Sequence, residues 1–182
     1  MDSYARVQFG PLEKLEALSI IDAFIRIAFE HDGTMWTEAP SGGTVTAESS
    51  EAIEEGWMRQ VRYETAGLNI EKVVATDSKS ATLAYTVKPK KGVLKTFTFT
   101  AWLPWERRLL KTELMGNVFT LVSDAGTLSF SFNKTPLSVE ASPHPEYKQL
   151  RLEATLPMEP SQDSLQVQVK GSSPLTFTYE AT

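Results

Sequence analysis

The segment Trp102-Leu-Pro-Trp105-Glu-Arg-Arg108 gathers two indoles, a proline and two guanidinium groups into seven residues. Proline locks the backbone between the rings, because its own ring fixes φ. Indole faces stack on apolar and cationic groups, and a guanidinium donates in a planar fork. Trp102, Trp105, Arg107 and Arg108 therefore suit recognition of a sugar, an aromatic ligand, an anion or a protein partner. The competing reading has the indoles covering the end of a core while the arginines pair with acids. Trp36, Trp57 and Tyr85 read as core or cavity wall rather than as ligand contacts.

Catalytic patterns are missing from the sequence. The two histidines, His31 and His144, share no metal-ligand spacing, and the chain has no cysteine to act as thiolate ligand, nucleophile or disulfide. No G-x-S-x-G elbow and no glycine-rich phosphate loop occurs. Glu54 and Glu55 would point about 100° apart on a helix, a poor geometry for an acid/base pair. No catalytic residue, metal or cofactor is assigned. Asn133-Lys-Thr135 matches the glycosylation sequon, a pattern short enough to arise by chance.

Composition bounds the object that carries these residues. The 182 residues suffice for one domain with a sizeable core, and 41% hydrophobic with 23% charged residues is ordinary for a globular chain. No apolar run reaches the roughly 20 residues of a membrane-spanning helix. The first ten residues lack the basic flank and apolar stretch of a signal peptide, and the compartment stays undecided. The net charge of −5 is uneven: residues 1–60 carry 11 acids and 4 bases, and residues 61–115 carry 5 acids and 10 bases. The densest basic run is Lys88-Pro-Lys-Lys91, too sparse for nucleic acid. A protein partner or a small apolar or anionic ligand fits better, and an oligomer is compatible with strand-rich surfaces.

The elements that must position these residues follow from periodicity. Pro11 opens an apolar line at Leu12, Leu15, Leu18, Ile21, Ile25 and Phe29, spaced for a helix that His31 and Gly33 would close. Residues 37–47 read as a loop. Ser49 or Ser50 can cap a second helix along Ile53, Trp57 and Val61, with Gly56 costing about 1 kcal/mol within it. From Leu68 the period changes to two. Strands are predicted over 68–76, 79–88, 93–103, 105–115, 117–123, 127–133, 136–141, 148–156, 164–170 and 173–180. Pro89-Lys-Lys-Gly92 and Asp124-Ala-Gly126 are the expected hairpin turns.

Three of these strands, Lys95–Trp102, Leu128–Phe132 and Leu175–Tyr179, alternate aromatics with small hydroxyls. Each presents one face to a core and one to water, which favours antiparallel pairing. The expected fold class is α+β: two N-terminal helices packed on a curved antiparallel sheet, with a further antiparallel β portion at the C-terminus. The alternative is a single β-sandwich or barrel carrying N-terminal helices. The division expected is 1–122 as a helix-plus-sheet domain and 123–182 as a β-rich extension, or one continuous domain.

Ile21-Asp-Ala-Phe-Ile-Arg-Ile-Ala-Phe-Glu-His-Asp32, followed by Trp36, resembles the first helix of the nuclear-transport-factor-2-like superfamily, a cystatin-like α+β cone. The order of elements over residues 11–122 is similar. The resemblance implies a helix-covered sheet wrapped around a cavity, with Trp36, Trp57 and Tyr85 as candidate lining residues of an apolar site. Enzymes of that superfamily hold an Asp or His base in the cone, and no such set matches here residue by residue. The leading functional reading is a non-catalytic binding or assembly module. A structural subunit of a larger assembly, and a cavity enzyme of isomerase, dehydratase or hydrolase type with a carboxylate base, are the alternatives.

Overall fold

The structure, a computed structural model, describes residues 3–8, 25–31, 34–37, 44–53, 56–64, 67–76, 80–104, 108–124, 126–143, 149–171 and 176–181. Every regular element among these residues is a strand. The N-terminal half supplies β1 (Ser3–Gln8), β2 (Ile25–His31), β3 (Thr34–Thr37), β4 (Thr44–Ile53), β5 (Gly56–Glu64), β6 (Leu68–Thr76) and β7 (Ser80–Pro89). There follow β8 (Leu94–Pro104), β9 (Leu109–Met115), β10 (Val118–Ser123) and β11 (Gly126–Phe132). The chain ends with β12 (Ser138–Pro143), β13 (Gln149–Pro157), β14 (Asp163–Gly171) and β15 (Thr176–Ala181).

These strands form an eight-stranded antiparallel sheet, β4-β5-β6-β7-β14-β11-β10-β9, and a five-stranded one, β12-β13-β8-β2-β3. β1 and β15 pair separately. The two larger sheets meet face to face. Phe99 of β8 places its ring edge-on to Phe130 and Phe132 of β11, with centroids 6.2 and 5.7 Å apart and interplanar angles of 63° and 80°. Aromatic quadrupoles prefer this T-shaped contact. The alternating Phe/Thr strands thus solve each other's problem: Phe97 and Phe99 cover Phe130 and Phe132, all wholly or nearly wholly buried. The third such stretch is β15, paired with β1 from Gln8↔Thr176 to Ser3↔Ala181.

The α+β expectation is overturned. The first expected helix is strand β2 from Ile25 to His31; the part from Pro11 to Phe24 lies outside the described residues. Ile25, Ile27 and Phe29 satisfy a period of two as well as a helical stripe, and a short apolar run does not distinguish them. β8 decides the matter. Its Phe97–Ala101 row needs a neighbour on each side, and β2 supplies one through Ile27↔Phe99 and Ile25↔Ala101. β-branched Ile27 is almost wholly buried there.

The second expected helix is the hairpin of β4 and β5, closed by Ile53 opposite Gly56. Arg59, Val61 and Tyr63 share one face of β5, and Met58, Gln60, Arg62 and Glu64 share the other. Gly56 begins a strand at the closed end of this hairpin and is no mid-helix cost. The loop expected at 37–47 instead contains the end of β3 and the start of β4.

The ten strands expected beyond Leu68 are present as β6 to β15, with ends shifted by at most four residues. Asp124 and Gly126 do close a hairpin, Ser123 pairing with Gly126, whose φ of 132° suits glycine. Pro89–Gly92 does not. β7 pairs with β6 and β14, and β8 with β13 and β2, so this segment carries the chain from one sheet to the other. Gly92, at φ 77°, lets it turn, while Lys90 N–H donates to the Gly67 carbonyl at 2.8 Å and Leu94 N–H to that of Pro160 at 3.0 Å. Strands from both sides of residue 122 interleave in both sheets: β11 and β14 lie between β7 and β10, and β13 lies against β8.

Candidate functional site

The antiparallel register of β5, β6 and β7 lines up polar side chains on the outer face of the eight-stranded sheet. Arg62, Glu71 and Thr86 are direct neighbours across three strands, and Glu64, Asn69 and Lys88 form the next row. The intervening row, Tyr63, Ile70 and Val87, turns inward, as the pleat requires. These rows floor an open groove of about 470 Å³, with Thr46 of β4 at one side and Gln162, just before β14, at the other. A register shift between Val45 and Ala47 sets Thr46 free of the ladder, and its hydroxyl donates to the Arg62 carbonyl at 3.2 Å.

Charge in the groove is balanced. Arg62 Nε lies 2.7 Å from Glu71 Oε2, and Lys90 Nζ lies 2.7 Å from Glu64 Oε2. All four side chains are more than a third exposed, so each pair contributes little to stability. What they provide is a fixed array of donors and acceptors of both signs, beside the amides of Asn69 and Gln162.

The inner face of the same strands holds a different feature. Lys72 sits between Val61 and Tyr85 in the register and is only 4% exposed. Its ammonium lies 5.1 Å from the centre of the Tyr85 ring, within range of a cation–π contact. Tyr85 itself is wholly buried.

At the end of the sandwich Asp163 is held by Lys134, whose ammonium also reaches the Pro157 carbonyl at 3.1 Å and lies 5.5 Å from the Phe97 ring centre. Burial alone pushes the Asp163 carboxyl up. The Lys134 hydrogen bond, the Glu159 and Ser164 N–H groups at 2.6 and 2.7 Å, and the Lys134 charge outweigh it, and its pKa ends below the ordinary value. A carboxylate so held is a clamp between two loops and a weak base.

Of the residues expected to recognise a ligand, the four described ones stand on or beside four different strands. Trp57 lies on β5 and Tyr85 on β7, in the eight-stranded sheet; Trp102 lies on β8 in the other, opposite Arg151. Trp105 and Arg107 fall outside the described residues, as does His144. Arg108 is exposed at the head of β9, where its N–H donates to Asp124 Oδ1 at 3.2 Å and its carbonyl accepts from Asp124 N–H at 3.3 Å. Tyr85 turns out to be core, packed under Lys72.

Sequence reasoning missed the outer-face rows. It assigned β5 to a helix and so never aligned Arg62 and Glu64 with Asn69, Glu71, Thr86 and Lys88. The signal was present in outward positions of three consecutive strands, where Arg62, Glu64, Asn69, Glu71, Thr86 and Lys88 are all hydrogen-bonding residues.

No family model and no curated protein matches the chain. Among solved structures the fold is similar to a chain described as a kojibiose phosphorylase from human microbiome, with a TM-score of 0.52 at 12% identity. That likeness covers 85% of this chain and 22% of the other, and it is one of fold.

Proposed function

We propose that this protein is a non-catalytic binding module that takes a neutral, hydroxyl-rich ligand, of the saccharide class, in the groove on the outer face of the eight-stranded sheet. The observation that carries the reading is the charge-balanced floor: Arg62 and Lys88 against Glu64 and Glu71, with Asn69 between them. An anion site would leave cations unmatched. Here donors and acceptors alternate, which suits hydroxyls that both give and accept hydrogen bonds. The fold likeness to a chain named for a sugar phosphorylase is compatible with this class and carries no weight beyond fold.

The test is calorimetric titration of the protein with a panel of neutral oligosaccharides. At least one should bind, and Arg62→Ala combined with Asn69→Ala should weaken it about tenfold or more, the loss of two or more hydrogen bonds. The thermal midpoint should stay nearly unchanged, because both side chains are exposed. Binding of acidic glycans alone, or binding indifferent to both substitutions, overturns the reading.

A further inference from the structure

Among the described residues the eight-stranded sheet has two edges, β4 and β9. Edge strands offer unpaired N–H and C=O groups to a further strand. β9 also carries exposed apolar side chains: Leu110 is 54% exposed, Leu114 45% and Met115 69%. Its sequence, Leu109-Leu-Lys-Thr-Glu-Leu-Met115, is self-complementary about Thr112.

We propose that β9 pairs antiparallel with β9 of a second copy of this chain, about a two-fold axis through Thr112. In that register Lys111 faces Glu113 of the second copy, and Leu110 faces Leu114. Each contact occurs twice by symmetry. Lys111 Nζ already lies 3.7 Å from Glu113 Oε2 within one chain, both being about half exposed or more, so pairing closes a ring of four alternating charges.

The backbone agrees with this axis. Met115 pairs with Val118 across a two-residue turn in which Gly116 has φ 60°. The closing pair of such a hairpin is hydrogen-bonded, so Met115, Glu113 and Lys111 spend their bonds on β10. The alternation turns the N–H and C=O of Thr112 and Leu114 to the open edge. The register shift opposite Val122 and Ser123 leaves Leu110 without a partner on β10 and keeps Lys111 to Met115 regular. β4, the other edge, carries Glu48 and Glu51 and no basic residue, so self-pairing there would oppose acids. The groove lies at the β4–β7 end, away from β9. A two-fold normal to the joined sheet opens both grooves on one face, which makes the dimer bivalent.

Sedimentation velocity of the full chain over a concentration series tests the pairing. A concentration-dependent dimer is expected. Lys111→Glu or Glu113→Lys alone should weaken it about tenfold or more, since each sets like charges opposite each other twice. The double variant should restore it, and an equimolar mixture of the two single variants should form the heterodimer. Thr112→Pro, which removes an outward N–H, should abolish association while circular dichroism and the thermal midpoint report an intact fold. A monomer at every concentration, a dimer indifferent to the single reversals, or a folded double variant that stays monomeric overturns the proposal.

Discussion

The Lys72 ammonium rests 5.1 Å from the centre of the Tyr85 ring, directly across the β6–β7 ladder, with 4% and 0% of the two residues exposed. A buried cation over an aromatic face is worth about 2 kcal/mol when desolvated. Tyr85→Leu keeps apolar bulk but removes the face. A double-mutant cycle with Lys72→Met, followed by urea unfolding, should therefore give a coupling of about 0.5–2 kcal/mol. A coupling near zero would show that the ring is simply filler.

The junction of the two sheets rests on Phe99 between Phe130 and Phe132. Phe99→Ala should destabilise by about 3–5 kcal/mol, through lost burial and the cavity left behind. Combined with Phe132→Ala, the total should fall short of the sum, because the two changes empty the same space. Additive losses would mean that the rings are energetically independent.

Acid sensitivity should concentrate at Asp163. Its folded pKa lies below its unfolded value, so the unfolded chain binds the proton more readily. The stabilisation is present above the unfolded pKa, near 3.8, and is lost as pH falls through the lower folded value. The stability gap between the wild type and Asp163→Asn should be constant at neutral pH and narrow below about pH 4. Denaturant midpoints across pH 2–7 measure it, and a gap that is flat into acid would remove Asp163 from the account.

Asn133 uses both ends of its side chain on β14. Its Nδ2 donates to the Ser164 carbonyl at 3.1 Å, and its Oδ1 accepts from Gln166 N–H at 2.8 Å. A glycan on Nδ2 would compete with the first bond. Asn133→Ala should cost about 1–2 kcal/mol, and protein passed through a glycosylating secretory route should show no added mass at this sequon. A glycan found there would require the β11–β14 end to open.

Much of the strand pattern was legible because it is local. Phe97 and Phe99 alternate with Thr96, Thr98 and Thr100, and a period of two assigns faces without any knowledge of neighbours. The inward positions of β14, Leu165, Val167 and Val169, were equally readable and are all buried. The candidate site was less so. Trp102 and Tyr85 were chosen for their chemistry, yet chemistry alone does not say which sheet or which face a residue joins. Once β5 was read as a helix, its alignment with β6 and β7 could not be drawn.

Alternation, turn residues and the self-complementary run about Thr112 are properties of the chain itself, since they depend on residues a few positions apart. Only the tertiary structure decided that Ile25–His31 is a strand, that Pro89–Gly92 crosses between sheets, and that the Phe97 and Phe130 rows close on each other. Each depends on a partner far along the chain. A strand's period names the face it must hide, while pairing and burial energy, gained only on contact, select what hides it.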